Sequence, residues 1–420
     1  MSDAIGIGLL GYGTVGGAVD RLLRERGDVV ARVAGRPVHV VRALVRDPGK
    51  HRDAPEGLLT TRFEDIIDDP SIGIVAEVMG GIDPTLGYLR ALLERGVSVV
   101  SANKQLLARH GAELAAAAET GKASLRYEAS ACAAIPVVRV LQESLVAASV
   151  DELIGIVNGT TNFILSAMAA EGQSYAEALA RAQELGYAES DPTEDVGGAD
   201  AAAKLAILAG IAFHRHLSID EVPFEGIDTL GAEDVAFARD LGYAVKLLAH
   251  ARLDDSGISA SVAPTLVPRD HTLARIDGSF NAVMLRGHEI REITLQGPGA
   301  GGPETASAVI GDIVSVLSQS QAAGVPYRDV PIVPAGRWHS PLYVRMDVTD
   351  RPGVLAQIAT CFGARGVSLR SMIQRPLDES TASLVFLTHP TVADDANAAL
   401  AAIASLDVSR TTPRVLRVLG

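Results

Sequence analysis

Lysine is scarce in this chain: Lys50, Lys104, Lys122, Lys204 and Lys246 are five among 37 basic residues. Where only a positive charge is wanted, the sequence uses arginine. Arginine keeps its proton in a protein, whereas a lysine in apolar surroundings can release one. A retained lysine in an apolar run is therefore a candidate for proton transfer, against the plainer reading that it survived a codon bias. Lys204 is the clearest case, four residues after Asp200 in Asp200-Ala-Ala-Ala-Lys204-Leu-Ala-Ile-Leu. On a solvated helix such a pair is a surface contact worth about 0.3 kcal/mol. The segment through Phe213 is apolar nearly all round, so the helix is expected to be buried, and a buried ammonium needs a partner. Lys204 then reads as a proton donor or acceptor and Asp200 as the residue that orients it.

Upstream lies Gly186-Tyr187-Ala188-Glu189-Ser190-Asp191-Pro192-Thr193-Glu194-Asp195. Acidic residues ahead of a helix cap its N-terminus; beside a catalytic lysine they also form a trap for a substrate ammonium group. Lys104, in Ser101-Ala102-Asn103-Lys104, follows an apolar run that reads as a parallel strand, and such sheets bind ligands beyond the carboxyl ends of their strands. Gly11-Tyr12-Gly13-Thr14-Val15-Gly16 falls between an expected strand and an expected helix. Its glycines permit a tight turn and let the backbone approach a pyrophosphate on the helix N-terminus. That context points to a dinucleotide, with an ordinary glycine-rich turn as the alternative. The next strand ends at Arg46, with Lys50 and Arg52 nearby, where an NAD site would place a carboxylate. A guanidinium there suits a 2′-phosphate, which favours NADP. The adjoining Asp47 leaves NAD open, and Arg46 on a solvated loop is the plain alternative.

The elements that must hold these residues follow from the apolar pattern. Strands are expected at Ala4–Leu10, Val38–Val45, Ile74–Met79 and Val97–Ser101, alternating with helices at Thr14–Glu25, Pro84–Arg95 and through Gly111–Thr120. That alternation implies an α/β, Rossmann-type parallel sheet with helices on both faces, here over residues 1–135. Residues 136–304 read as an α+β domain: a run Leu153–Val157, helices Tyr175–Leu185, Asp200–Phe213 and Asp234–Leu241, then strand-like stretches Ser259–Val267, Ala282–Leu285 and Glu292–Leu295. The cluster Gly297-Pro298-Gly299-Ala300-Gly301-Gly302 opens a helix Thr305–Ser320 that completes the first domain. Residues 321–340 read as a glycine- and proline-rich linker. The tail, 341–420, shows strand, helix, strand, strand, helix, strand, a ferredoxin-like βαββαβ unit.

Composition narrows the function classes. At about 150 residues per domain, 420 residues make two or three domains. The net charge of −14, with no basic run, argues against nucleic acid as a partner. Two distant cysteines, Cys132 and Cys361, form no metal spacing and fit a reduced chain. The stretch Leu153–Ala170 is interrupted by Asn158-Gly159-Thr160-Thr161-Asn162, too polar to span a membrane. The start, Met1-Ser2-Asp3-Ala4, lacks the basic region of a signal peptide. A water-soluble cytoplasmic protein is expected.

Together the glycine motif with Thr14-Val15, Ala102-Asn103-Lys104, Tyr127-Glu128-Ala129-Ser130, Gly155 to Phe163, Leu185-Gly-Tyr-Ala-Glu-Ser-Asp-Pro192 and Asp200…Lys204 resemble homoserine dehydrogenase in order and spacing from about residue 5 to 320. The tail, with Asp350-Arg351-Pro352-Gly353-Val354-Leu355, resembles an ACT regulatory domain. The resemblance implies reversible reduction of L-aspartate 4-semialdehyde to L-homoserine by NAD(P)H. It makes Lys204 the acid/base residue with Asp200 beside it, sets Glu189 and Asp195 around the substrate amino group, and puts Lys104 between cofactor and substrate. Hydride attack on an aldehyde develops an alkoxide that needs such a donor. Cofactor contacts would include Gly11, Gly13, Thr14, Val15, Gly16, Arg46, Lys104, Gly186, Gly301 and Gly302. It further implies a structural monovalent cation such as sodium, held mainly by backbone carbonyls of Glu128, Ala131, Ala133 and Ile135. Here Ala133-Ala134 replace the usual glycines, a strained choice if either needs positive φ. In Gly302-Pro303-Glu304-Thr305 the proline stands one place from its usual position, which can alter the turn. The tail would pair with a second copy, in a homodimer or homotetramer, and bind L-threonine at Asp350–Val354, with a tail that only supports oligomerisation as the plain alternative.

Two other readings fit less of the sequence. Aspartate-semialdehyde dehydrogenase needs a nucleophilic cysteine, and Cys132, the one candidate, falls in the cation loop. A catalytically silent sensor of nucleotide and amino acid would have no use for Lys104, Glu189, Asp200 and Lys204 together.

Overall fold

The computed structural model describes residues 4–50, 54–318 and 327–419. Arg52, the end of the expected helix at 319–320 and the linker residues 321–326 lie outside them. In chain order the first elements are β1 (Ile5–Leu10), α1 (Thr14–Ala34), β2 (Val38–Leu44), β3 (Leu59–Thr60), α2 (Glu64–Ile67), β4 (Ile72–Glu77), α3 (Thr85–Glu94), β5 (Ser98–Ser101), α4 (Lys104–Gly121) and β6 (Leu125–Arg126). Then come α5 (Val137–Arg139), β7 (Glu152–Ile156), α6 (Gly159–Glu171), α7 (Tyr175–Glu184), α8 (Thr193–Val196), α9 (Ala199–Ala212) and α10 (Ala232–Asp240). They are followed by β8 (Tyr243–Asp254), β9 (Gly257–Pro268), β10 (Phe280–Gly287), β11 (Arg291–Pro298) and α11 (Gly302–Ser318). The tail holds β12 (His339–Ser340), β13 (Leu342–Thr349), α12 (Val354–Gly363), β14 (Leu369–Pro376), β15 (Thr381–Thr388), β16 (Thr391–Val392), α13 (Ala393–Ala404) and β17 (Arg414–Val418).

The chain divides into two compact units. The first comprises residues 1–153, 203–222 and 281–329 and carries a parallel sheet in the order β3-β2-β1-β4-β5-β6. The strand order reverses between β1 and β4, where Leu10 lies opposite Glu77. At such a switch point the loops diverge and leave a crevice for a ligand. Ala18, Val19 and Leu23 of α1 and Val309 and Ile313 of α11 bury against Ile7, Leu9, Ile74 and Val100 of the strands. Helix α11 thus supports the glycine loop although it comes from a distant part of the chain. Helix α1 runs past the expected Glu25 to Ala34, with a kink at Arg26 (φ −124°, ψ 19°) just before Gly27.

The second unit comprises residues 154–202, 223–280 and 330–420. Seven strands assigned largely to it lie in the order β7-β8-β9-β17-β13-β15-β14. Strands β8 and β9 form a long hairpin, Tyr243 opposite Pro268 through Asp254 opposite Gly257. The outer edge of β9 is closed by three separate segments. Ile258 bonds Pro331 and Val333, Val262 bonds Pro223 and Glu225, and β17 runs parallel with Arg417 opposite Thr265 and Val418 opposite Leu266. That coverage is why β9 is buried along nearly its whole length. Residues 331–333, expected as linker, are held here because a bare strand edge offers unpaired amides and carbonyls. The tail has the expected βαββαβ order, its sheet backed by Ile358 and Phe362 of α12 and Ala399 and Ile403 of α13. Arg345 of β13 reaches Asp234 at 2.7 Å and Glu233 at 2.8 Å, while Arg375 of β14 reaches Asp240 at 2.6 Å and lies over Phe237. Helix α10 therefore receives the tail on one side.

Candidate active site

Helix α6 begins where the sequence looks least helical. Asn158 is its N-cap, with Oδ1 accepting from the Thr161 amide at 2.8 Å, so the polar run 158–162 is a helix start after β7 and not a loop. The same side chain does a second task. Its Nδ2 donates at 2.7 Å to Asp195 Oδ1 and at 2.9 Å to Asp200 Oδ2, using one hydrogen for each carboxylate. Thr160 Oγ1 donates to the Tyr187 carbonyl at 2.6 Å and fastens the acidic loop to α6. Two carboxylates thus converge on one neutral amide, an arrangement that concentrates negative charge and suits an ammonium group. Asp191 does the capping work of the loop, accepting from Thr193 N and Oγ1 at 3.2 and 2.6 Å. Glu189 is exposed, and its carbonyl accepts from Gln183 Nε2. Gly186 (φ 76°) turns the chain out of α7 into this loop. Lys204 lies four residues beyond Asp200 on α9, and both side chains are buried.

The nucleotide motif occupies the switch point. Helix α1 has no side-chain cap and no acidic residue in its first turn, so the amides of Thr14, Val15 and Gly16 are left for an anion. Gly11 (φ 105°) packs on Met79, where a Cβ would stand 3.0 Å from its backbone; a Cβ at Gly16 would collide with the Gly11 carbonyl; Gly13 faces open space. Gly302 packs against Thr14, where a Cβ would stand 2.8 Å from its methyl, so the second glycine loop closes on the first. The displaced proline falls in the first turn of the helix, where its missing N–H costs nothing: α11 starts at Gly302, after Gly301 (φ 135°), three residues earlier than expected. Asn281 is fully buried against Gly299, and neither of its amide atoms has a hydrogen-bond partner among the described residues. Arg46 is exposed two residues beyond β2, while the Asp47 carboxylate is turned to the Gly49 amide at 3.0 Å.

Lys104 opens α4, capped by Asn103, whose Oδ1 accepts from Leu106 N. Behind it lies a residue that sequence reasoning missed. Glu77, the last of β4, is wholly buried, with Oε1 accepting from the Met79 and Gly80 amides at 3.0 and 2.9 Å and Oε2 from Ser101 Oγ at 2.7 Å. Ser101 Oγ takes the Asn103 amide, and Asn103 Nδ2 donates to Gly81. One network therefore ties the loop after β4 to the start of α4. Burial pushes the Glu77 carboxyl above its ordinary range, against the opposing pull of these hydrogen bonds. A charge closing an otherwise apolar strand was its only signal. For Asn158 the signal was a helix-capping residue ahead of Gly-Thr-Thr.

The loop Glu128–Ile135 is buried except for Ala134. The Glu128 carboxylate accepts from the Val138 and Arg139 amides at 2.9 and 2.7 Å, and burial pushes it up to about 7. Its side chain is thus committed, and within the loop the Glu128 carbonyl accepts from the Ala131 amide at 3.3 Å and the Ile135 carbonyl from the Val137 amide at 2.8 Å. Ala133 adopts φ 45°, the left-handed conformation that glycine would take; Ala134 does not.

No helix among the described residues is long and apolar enough to cross a membrane. Three family models match the chain: homoserine dehydrogenase over residues 136–314, its NAD-binding domain over 11–128, and the ACT domain over 342–408. The chain is 43% identical over 428 residues to the homoserine dehydrogenase of Corynebacterium glutamicum, covering 99% of this chain and 96% of that protein. The crystal structure of a homoserine dehydrogenase from Thiobacillus denitrificans superposes with a TM-score of 0.95 at 39% identity, covering 99% of this chain and 98% of the other. A hyperthermophilic archaeal homoserine dehydrogenase in complex with NADPH matches with a TM-score of 0.64 at 27% identity, over 74% of this chain and 97% of its own.

Proposed function

Because the chain belongs to the homoserine dehydrogenase family, and so interconverts L-aspartate 4-semialdehyde and L-homoserine with a nicotinamide nucleotide, we propose that Lys204 moves the proton and that Asp195, Asp200 and Glu189 hold the substrate amino group. The observation that carries this reading is the Asn158 amide joining Asp195 to Asp200 on the helix that bears Lys204 four residues later. In the reducing direction Lys204 donates a proton to the oxygen at C4 as it becomes an alkoxide; in the oxidising direction its neutral amine takes the hydroxyl proton. Asp200 orients the lysine, and Lys104 shares the proton role from the start of α4. The nucleotide, when bound, supplies or accepts the hydride at C4.

The glycine loops suit the nucleotide's pyrophosphate: Gly11, Gly13, Thr14, Val15 and Gly16 from the first, Gly301 and Gly302 from the second, with Gly186 and Lys104 completing the contacts. Arg46 favours NADP over NAD, since its guanidinium can pair with a 2′-phosphate while Asp47 is engaged with Gly49. A sodium-like cation is held by the carbonyls of Glu128, Ala131, Ala133 and Ile135; the left-handed Ala133 supports this, because the sequence tolerates strain there. The ACT domain takes L-threonine at Asp350–Val354, where Gly353 (φ 90°) leaves the N-terminus of α12 without a side-chain cap. The exposed edge strand β14 is where a second copy would pair, giving a dimer or tetramer. The enzyme works in the cytoplasm, and 1–135, 136–304 and 341–420 serve as its nucleotide, substrate and regulatory domains.

The test is the initial rate of L-homoserine-dependent reduction of NADP and of NAD, with and without L-threonine, for the wild type and Lys204→Ala. The expected outcome is faster turnover with NADP, suppression by threonine, and a loss of about a hundredfold or more in kcat for the variant with nucleotide binding retained. Full turnover by Lys204→Ala would overturn the catalytic assignment.

A further inference from the structure

Lys246 is the buried lysine that this mechanism leaves unused. It lies within β8, its side chain 2% exposed. An ammonium has three hydrogens, and here each meets an oxygen: Asn162 Oδ1 at 3.0 Å, the Ile276 carbonyl at 2.5 Å and Asp277 Oδ1 at 3.1 Å. Asn162 is itself fully engaged, its Nδ2 donating to the Ile276 and Phe280 carbonyls at 2.9 and 3.0 Å. A planar guanidinium on a longer stem does not fit that tetrahedral set, which accounts for a lysine in a chain that otherwise prefers arginine.

The helix that Lys246 holds is α6. Asn162 follows Asn158 by four residues, one turn along the same face, and Asn158 is the residue whose amide joins Asp195 to Asp200. The two asparagines fix the helix start at successive turns, Asn158 against the carboxylates and Asn162 against β8 and the 276–280 turn. We propose that Lys246 is a positioning residue for the substrate pocket, anchoring α6 through Asn162 so that Asn158 presents Asp195 and Asp200 at the spacing the substrate amino group needs. This rests on the assignment of Asp195 and Asp200 to that group. Lys246 touches no reacting atom; its removal lets α6 shift, which moves Asp195 and Asp200 off the substrate amino group and weakens its binding.

Lys246→Met keeps the apolar stem and removes the three donors. The expected result is a rise of about tenfold in the KM for L-homoserine, with the KM for NADP within about twofold of wild type. A folded Lys246→Met with an unchanged homoserine KM overturns the proposal, and so does a parallel loss in both KM values, which is general damage. Should Lys246→Met fail to fold, Asp277→Asn decides. It sits at the exposed end of the network, keeps an acceptor and removes the ion pair, so a smaller rise in the homoserine KM is expected and no change overturns. Asp200→Asn is measured alongside. If it leaves homoserine binding and turnover unaltered, the pocket assignment falls and the proposal with it; if it impairs them while Lys246→Met does not, the proposal alone falls.

Discussion

Glu77 is buried deeply enough that its ionisation becomes a measurable property of the folded chain. Its pKa in the folded state lies above the ordinary value because burial disfavours the charge. A carboxyl shifted that way contributes stability that is complete below its unfolded pKa and is lost as pH rises through the folded one. Glu77→Gln cannot ionise, yet its oxygen can still accept from Met79 and Gly80 and its amide can face Ser101 Oγ. The variant is therefore expected to gain on the wild type, in urea midpoint, as pH rises from about 4 to about 8. A gap that stays constant over that range would contradict the shift. At this scale the sequence was legible where chemistry stood out from its surroundings: Asp200 and Lys204 are charges in an alanine-rich run. Asn158 was not, because a residue that caps a helix and one that organises two carboxylates are the same residue type in the same place. Lys246 stood out only by rarity, since its partners Asn162, Ile276 and Asp277 come from other elements.

Ala133 shows how an element can carry strain. An L-residue in the left-handed region costs about 1–2 kcal/mol, and glycine pays back part of that through its more flexible unfolded state. Ala133→Gly is expected to raise stability by about 0.5–1 kcal/mol, while Ala134→Gly, outside that region, lowers it slightly. Thermal midpoints of the two variants check this, and equal shifts would sink the idea. The strands and helices of the first domain were readable because a fully buried parallel sheet leaves continuous apolar runs. Helix α6 was not, because Asn158-Gly159-Thr160-Thr161-Asn162 has the composition of a loop and is held as a cap and first turn by distant partners, with Asn158 donating to Asp195 and Asp200 and Asn162 accepting from Lys246. Strand β8 was missed for a related reason: Val245 to Ala249 is buried on both faces, so the alternation that marks a strand is absent.

For the whole molecule, the fold of the tail was legible and its attachment was not. The βαββαβ pattern lies in local periodicity, whereas the pairing of β17 with β9 involves two residue pairs between segments far apart in the chain. Removing the tail would uncover Thr265 and Leu266, strip Arg345 from the buried Asp234 and take Arg375 off Phe237. A chain ending near residue 340 is expected to associate through that bare edge and to melt earlier than the full-length protein, as read by light scattering and thermal unfolding. A truncated form that stays monodisperse with an unchanged melting temperature would show the pairing to be incidental. The shared sheet also bears on how such an enzyme can change over generations. A stop codon ahead of the last strand disrupts the ACT domain and bares the edge of β9 in one stroke, so a change confined to the tail's own role has to come through substitutions that leave β17 in place. An engineer seeking to disable the tail faces the same constraint, and would do better to substitute residues within the ACT domain than to shorten the gene.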